Sequence, residues 1–330
     1  FLDHAPRDHP RMGPVSPFPD GLVTTLLISD PLFLDHAMPA GHPERPDRLR
    51  AVEKALSDPR FAPLHREGAT AGALDLATLV HPEGYVREIA GHAPAEGFAF
   101  LDADTSMSPG SLPAAVAAMG SMERAVKGVL AGDFANAFVA ARPPGHHAER
   151  ETAMGFCLFN TIAVAARLAQ KAGAGRIAIV DWDVHHGNGT QDIFWADKDV
   201  LFVSSHEMPL YPGTGAKDER GEYGSIVNVP LRAGDDGAVF REAFESRVFP
   251  RLVAHQPDLI LISAGFDAHR RDPLGNLRLE AEDYAWATTR LMEIAGKHCG
   301  GRIVSLLEGG YDLEGLSTSV AAHVETLMGA

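Results

Sequence analysis

Short runs of β-branched and apolar residues recur along this sequence, and helical patterns separate them. The runs lie at 24–29, 137–141, 176–180, 200–204, 225–229, 259–263 and 302–307. Several are apolar enough to be covered on both faces, which is typical of parallel strands packed between helices. This alternation predicts βαβ units and an α/β fold built on a mostly parallel sheet.

The intervening segments predict helices at 113–130, 161–172, 238–255, 280–295 and 316–328. Pro113 suits a first helical turn, and Gly173 suits a helix end. Because no long low-complexity linker interrupts the pattern, we expect a single domain over residues 23–330. Residues 1–22 contain five prolines and no periodicity, which indicates a loose N-terminal arm or leader.

The composition of the chain limits the classes of protein to which it can belong. The chain has 330 residues, of which 45% are hydrophobic, so it can bury a large core. No apolar run reaches the roughly 20 residues of a membrane-spanning helix, and the Pro-rich start does not look like a signal peptide, so we expect a cytoplasmic protein. A net charge of −15 argues against nucleic acid and mildly favours cationic partners. The cysteines, Cys157 and Cys299, are expected to be buried thiols.

Polar clusters directly follow five of the predicted strands. They contain His146 and His147, then Asp181, Asp183, His185 and Asn188, then Ser204 and Ser205, then Asp267, and finally Tyr311. Parallel sheets place their ligand sites at the carboxyl ends of the strands. The sequence therefore predicts one site to which five loops contribute.

Two of these clusters predict a metal site. Asp181, Asp183 and His185 alternate with period two as a strand ends, so they are expected to share one face and meet a common ion. Asp267 follows the end of another predicted strand. Two carboxylates and one imidazole leave a position for water, as in catalytic zinc sites, although the same ligands suit Mn²⁺ or Fe²⁺. The alternative is that these carboxylates only cap a helix.

The histidine pair suits amide hydrolysis, which needs a base for water and an acid for the departing amine. Asp181 and Asn188 are placed to orient the two imidazoles. Tyr311 follows two glycines, and its phenol suits donation to an oxyanion. Phe156 and Tyr211 suit the walls of an apolar slot. The alternative for the histidine pair is a surface or packed position, and for Tyr311, Phe156 and Tyr211 it is ordinary packing.

The motifs together resemble the histone deacetylase superfamily, specifically its class II-like bacterial branch of histone deacetylase-like amidohydrolases. They are His-Pro-Glu-Arg-Pro at 42–46, Arg-Pro-Pro-Gly-His-His, Asp-Trp-Asp-Val-His-His-Gly-Asn-Gly-Thr-Gln, Ser-Ala-Gly-Phe-Asp and Glu-Gly-Gly-Tyr, in the family's order. The likeness runs from about residue 24 to the C-terminus. It implies an arginase/deacetylase-type three-layer αβα sandwich.

The resemblance also implies roles for the residues. Zinc would be held by Asp183, His185 and Asp267. His147 would act as general base and then acid, with His146 as its electrostatic partner, while Tyr311 would polarise the acyl carbonyl. A potassium ion would lie near the zinc, and the matching residues are Asp181, Asp183, His185, Ser204 and Ser205.

The expected substrate tunnel has walls at Phe156, with Gly155 before it, and at Tyr211. Asp104 is expected at its rim, and neighbouring Asp102 is an alternative. Leu274 occupies the place where polyamine-selective relatives carry an acidic residue.

Two features distinguish branches of the family. Asn188 replaces the aspartate of class I members, as in class II. Tyr311 is retained where a weakened subgroup has histidine, which favours a competent enzyme.

The sequence thus predicts a zinc-dependent hydrolase that removes acyl groups from acyl-lysine-like amides. Alternatives are an acetylpolyamine or other small-molecule amide hydrolase, a non-catalytic acyl-lysine binder, and a ureohydrolase with two bridged metals. Whether copies assemble into a homo-oligomer stays open.

Overall fold

A computed structural model describes residues 24–329, so the expected arm at 1–22 lies outside the described residues. Its centre is a sheet of eight strands in the order β2-β1-β5-β10-β9-β6-β7-β8, and every neighbouring pair is parallel. The strands of this sheet are β1 (Thr25–Ile28), β2 (His65–Glu67), β5 (Asn136–Val139), β6 (Ile177–Asp181), β7 (Val200–Glu207), β8 (Ile226–Leu231), β9 (Leu259–Ala264) and β10 (Ile303–Leu307). A separate antiparallel pair is formed by β3 (Ala99–Phe100) and β4 (Ser106–Met107). The predicted parallel sheet is confirmed.

Nine α-helices of the described region surround the sheet. They are α1 (Asp47–Leu56), α2 (Glu83–Gly91), α3 (Ser111–Ala131), α4 (Thr161–Lys171), α5 (Asn188–Phe194), α6 (Gly237–Ala243), α7 (Phe249–His255), α8 (Ala281–His298) and α9 (Leu313–Leu327). Helix α9 packs on α1 and α8, whereas α3 packs on α4. The two groups form the outer layers of a single-domain αβα sandwich, as expected.

Local signals explain both ends of α4 and an interruption in a predicted helix. Asn160 accepts a hydrogen bond from the Ala163 N–H at the start of α4, and Gly173, with φ of +101°, follows the helix end. The helix predicted at 238–255 is interrupted by a π-helical turn at Phe244–Val248. Pro250 follows this turn and has no N–H to donate, which is the physical reason that a regular α-helix does not run through.

Three further findings concern the described residues. Cys157 and Cys299 are buried free thiols, as expected. No helix within residues 24–329 is long and apolar enough to cross a membrane. Strand β2, which the sequence analysis missed, consists of His-Arg-Glu, and these polar, exposed or half-buried residues lack the apolar pattern of a buried strand.

The sheet order explains why the polar clusters meet. The strands that precede them are β5, β10, β9, β6 and β7, which are consecutive neighbours in the centre of the sheet. Their carboxyl ends lie along one edge, so the five loops come together there.

On the helix side of the core, His323 is fully buried as a neutral imidazole. Its Nδ1 donates to Thr288 Oγ1 at 2.7 Å, since that hydroxyl already donates to the Tyr284 carbonyl. Its Nε2 lies 2.9 Å from Ser305 Oγ, a hydroxyl that is also 3.2 Å from the Ala137 carbonyl. Burial lowers the pKa of His323 from 6.5 to about 3.

This depressed pKa predicts acid sensitivity. The stability that neutral His323 contributes is fully present above pH 6.5 and is lost as the pH falls towards 3, because the unfolded chain takes up the proton first. As the pH falls from 7 to 5, this one group should lower the free energy of unfolding by roughly 2 kcal/mol. Urea unfolding of His323→Gln across that range should give a shallower pH slope than the wild type; equal slopes would contradict the assignment.

Candidate active site

Asp183, His185 and Asp267 form a buried group whose ligand atoms all lie within 4.8 Å of one another. His185 Nδ1 lies 3.1 Å from Asp183 Oδ1 and 3.2 Å from Asp267 Oδ2. Burial and the Asp183 carboxylate raise the pKa of Asp267 to about 7. Although burial disfavours its charged form, the two carboxylates raise the pKa of His185 to about 10. The electrostatic field therefore favours positive charge at this point, and a divalent cation fits the donor set.

Glycines allow other loops to approach these carboxylates. A Cβ atom on Gly265 would lie 2.1 Å from Asp183 Oδ2, and one on Gly309 would lie 2.1 Å from Asp267 Oδ2. Gly309 also donates its N–H to Asp183 Oδ2 at 2.8 Å. A side chain at either glycine would occupy the space around the carboxylates, so the packing preserves a compact group of donors.

Asp181 has a different position from the one that strand alternation predicted. Strand β6 ends at Asp181, so Asp183 and His185 lie in the loop beyond it. Asp181 is not one of the three grouped donors: its Oδ2 contacts His146 Nδ1 at 2.9 Å, as expected of a residue that orients this imidazole, and its Oδ1 accepts the Asp183 N–H. Asp181 therefore holds the His146 imidazole and the Asp183 backbone in place beside the three donors.

His146 and His147 pack against each other with their ring centroids 4.0 Å apart and their planes tilted by 44°. His147 Nδ1 lies 2.7 Å from Asn188 Oδ1, while the Asn188 amide donates to Glu149 Oε1 at 2.7 Å. Because the amide oxygen is then the acceptor, His147 carries its proton on Nδ1. His147 Nε2 is therefore the unprotonated, basic nitrogen. His147 also lines the cavity described below.

The environments of these two histidines push their pKa values apart. Burial, His146 and His185 hold the pKa of His147 well below its usual range. Burial acts in the same direction on His146, but the carboxylates of Asp181 and Asp183 outweigh it and raise the pKa well above the usual range. A neutral imidazole beside an imidazolium is a suitable arrangement for a base with a cationic partner.

Tyr311 approaches from the loop after β10. Burial raises the pKa of Tyr311 well above its usual range, so the phenol keeps its proton and serves as a donor. The Arg48 guanidinium lies 4.8 Å from the centroid of its ring. Arg48 also donates to the carbonyls of Glu308 and Gly310, which fixes the backbone on which the phenol is carried.

Arg48 belongs to a buried charge network that sequence analysis did not identify. Glu44 accepts from Arg48 Nη1 at 2.9 Å and from Arg142 Nη2 at 2.7 Å, and all three side chains are completely buried. Burial disfavours the charged carboxylate, but Arg142 and the other donors hold the pKa of Glu44 well below its usual range. Glu44 lies in the motif at 42–46 and Arg142 begins the motif Arg-Pro-Pro-Gly-His-His, but neither motif gave a role for these residues, and Arg48 lies outside both.

A cavity of about 230 Å³ connects the predicted substrate residues to the histidines. Its lining consists of Asp104, His147, Gly155, Phe156, His185, Leu210, Tyr211, Leu274 and Tyr311. The structure thus brings together every residue expected at the tunnel and adds Leu210. Asp102 is not part of the lining, because its Oδ1 accepts the N–H groups of Asp104 and Thr105 and so shapes the loop.

The cavity wall at Phe156 requires an unusual backbone. Gly155 and Phe156 both have positive φ angles, +56° and +68°. A Cβ atom on Gly155 would lie 2.4 Å from His147 Cδ2. Only glycine fits between the wall and the imidazole, and the Phe156 N–H is held by Thr105 Oγ1 at 3.1 Å.

The residues expected at a potassium site lie on adjacent strands. Asp181 of β6 is the sheet partner of Ser204 on β7. Ser204 Oγ is 2.9 Å from His206 Nδ1. Ser205 Oγ is buried and has no hydrogen-bond partner within residues 24–329.

A second buried acid, Glu308, also supports the site and was not anticipated. Its Oε2 accepts the N–H groups of Gly145 at 2.7 Å and His146 at 3.2 Å. It precedes the glycines of the Tyr311 loop, and no local sequence pattern indicates that its partners lie about 160 residues earlier.

Comparison with known proteins places these observations in a family. The family model of the histone deacetylase domain matches residues 42–327. An uncharacterised protein from Synechocystis is 44% identical over 90% of this chain and 97% of its own length. A histone deacetylase-like amidohydrolase from Pseudomonas aeruginosa is 37% identical over 88% of this chain and 78% of its own.

A solved structure gives the same result. The crystal structure of the HDA15 HD domain superimposes with a TM-score of 0.88 at 38% identity, covering 93% of this chain and 89% of that one. The fold, the matched domain and the relatives agree. The chain belongs to the histone deacetylase family and is a hydrolase of acylated amines.

Proposed function

We propose that this enzyme removes acyl groups from acyl-lysine-like amides with one zinc ion held by Asp183, His185 and Asp267. The proposal rests on one observation: a single cavity is lined by His185 of the buried donor group, by His147 of the histidine pair and by Tyr311. A zinc ion bound there supplies a Lewis acid for the acyl oxygen and lowers the pKa of water.

His147 acts as the base in this proposal. Its Nδ1 proton is fixed by Asn188, so Nε2 accepts the proton of the attacking water and later returns it to the departing amine. His146, charged through its contact with Asp181, stabilises negative charge that develops nearby. Tyr311 donates its phenolic proton in a hydrogen bond to the acyl oxygen, which accumulates charge in the transition state.

The cavity supports an extended, apolar acyl-amine chain. The rings of Phe156 and Tyr311 meet edge to face with centroids 5.9 Å apart, and Tyr211 meets His147 in the same way at 5.2 Å. Asp104 provides an acceptor for the substrate backbone or amine, and Leu274 makes an apolar contribution to the lining. An acetylpolyamine substrate is the second candidate, since Asp104 and the net charge of −15 attract polycations.

The supporting cation is proposed beside the zinc, at Asp181, Asp183, His185, Ser204 and Ser205. The buried Ser205 hydroxyl favours an additional oxygen-binding ion, because buried hydroxyls otherwise find a partner. Potassium suits such a site of hydroxyl, carbonyl and carboxylate oxygens.

Release of acetate and free amine from an acetyl-lysine peptide by the zinc-loaded protein tests the proposed function. We expect turnover that disappears on chelation and returns with zinc. A loaded protein that binds the peptide without hydrolysing it would support the non-catalytic binder instead.

Replacing Asp267 by asparagine tests the metal site. The amide keeps an acceptor for the Val184 N–H, which Asp267 Oδ1 binds at 2.7 Å, but it removes one anionic ligand. We expect zinc content well below one ion per chain and loss of turnover, measured by elemental analysis and amide hydrolysis. Asp258→Asn, which changes an acceptor of the Arg176 N–H at the opposite edge of the sheet, is the matched control. Full zinc occupancy in Asp267→Asn would contradict the ligand assignment.

Gly155→Ala tests the placement of His147. The new methyl group would collide with the imidazole, so we expect kcat to fall by about 10²-fold with zinc content unchanged. Gly84→Ala serves as the control because a Cβ atom there meets nothing within 4 Å. Wild-type turnover in Gly155→Ala would remove His147 from the proposed mechanism.

Leu274→Glu tests the substrate class. A carboxylate in the lining should pair with a second ammonium and shift the ratio of kcat/KM towards acetylspermidine by about 1–2 kcal/mol, relative to an acetyl-lysine peptide. Leu274→Gln has the same size without the charge and should shift the ratio little. If the wild type already prefers acetylspermidine strongly, even at high salt, Leu274 does not select the substrate and the acyl-lysine preference is wrong.

A further inference from the structure

The carboxylate of Asp272 joins the loop of Leu274 to the loop of Tyr311. Its Oδ2 accepts the N–H of Tyr311 at 2.6 Å and that of Asp312 at 3.2 Å. Its Oδ1 accepts the N–H of Leu274 at 3.0 Å. The residue is 7% exposed, so these three backbone donors, rather than water, satisfy the charge.

The Tyr311 loop needs such an anchor. Gly309 and Gly310 precede the tyrosine, and Gly310 has a φ of +125°, a region that residues with a side chain rarely adopt. Arg48 holds the carbonyls of Glu308 and Gly310, which lie before the tyrosine. Asp272 holds the N–H groups of Tyr311 itself and of the next residue. The backbone is thus fixed on both sides of the point from which the phenol projects.

We propose that Asp272 is a positioning residue that sets the phenol of Tyr311 relative to the cavity wall at Leu274. This inference rests on the proposed function, in which Tyr311 donates to the acyl oxygen. Asp272 itself is absent from the cavity lining, whereas Leu274 and Tyr311 both belong to it. It therefore acts through its neighbours and not by contact with the substrate.

The number of oxygen atoms in the Asp272 side chain explains why asparagine cannot replace aspartate at this position. Two oxygens serve three N–H donors, and an amide retains only one oxygen. In Asp272→Asn the amide nitrogen must oppose either the Tyr311 and Asp312 donors or the Leu274 donor. One of the two loops then loses its anchor, while the volume of the side chain is preserved.

A double-mutant cycle tests the proposal with Asp272→Asn, Tyr311→Phe and the double variant, each loaded with zinc. For an unactivated acetyl-lysine peptide we expect Asp272→Asn to lower kcat by about 10- to 100-fold in the wild-type background. In the Tyr311→Phe background the same change should lower kcat by less than about threefold, because the donor that it positions is already absent. Asp258→Asn should leave kcat unchanged in both backgrounds.

Zinc content and thermal unfolding separate positioning from general damage. If Asp272→Asn does not fold, Asp272→Glu takes its place in the cycle, since its charge is kept and its oxygens are displaced by one methylene. Equal factors in both backgrounds, or an unchanged kcat in the wild-type background, would overturn the role of Asp272 while leaving the proposed function intact. A wild-type protein that hydrolyses no acyl amide would overturn both.

Discussion

The rest of the site depends on two buried carboxylates that point at the same space. Asp183 and Asp267 come from neighbouring strands in the centre of the sheet, and the backbone N–H groups of Gly309 and Val184 bind them. Such a pair is unfavourable unless positive charge compensates it, which is why both carboxylates also contact His185. The positions of Gly265 and Gly309 follow from this constraint, because a side chain at either would fill the space that a cation requires.

A second set of buried charges holds the reactive side chains without entering the cavity lining. Asp181 fixes His146, Glu308 fixes the backbone before it, and the network of Glu44, Arg48 and Arg142 supports the tyrosine loop. Removing one partner from such a network would leave a buried charge unpaired, which is strongly destabilising. Buried ion pairs therefore fix the positions of the reactive side chains. The aromatic residues of the cavity wall exclude water around those side chains.

Sequence periodicity predicted the parallel sheet and the edge at which the site forms, since both follow from local patterns and from the rule for parallel strands. It did not separate Asp181 from the three grouped donors, because the strand ends there and alternation no longer describes the loop beyond. Arg48 and Glu308 were missed for another reason. Their partners lie about 260 and 160 residues away, and such pairings depend on strand order, which no local pattern contains. The resemblance supplied the expected tunnel residues, and the geometry brings Asp104, Gly155, Phe156, Tyr211 and Leu274 to one cavity.

In the proposed function, one zinc ion in the Asp183, His185 and Asp267 group makes this chain an amide hydrolase. Titrating metal-free protein with zinc while following hydrolysis of an acetyl-lysine peptide tests it most directly. We expect a turnover that rises in proportion to bound zinc and reaches its maximum at one ion per chain. Undiminished turnover in the metal-free protein, or a maximum that requires two ions per chain, would contradict it.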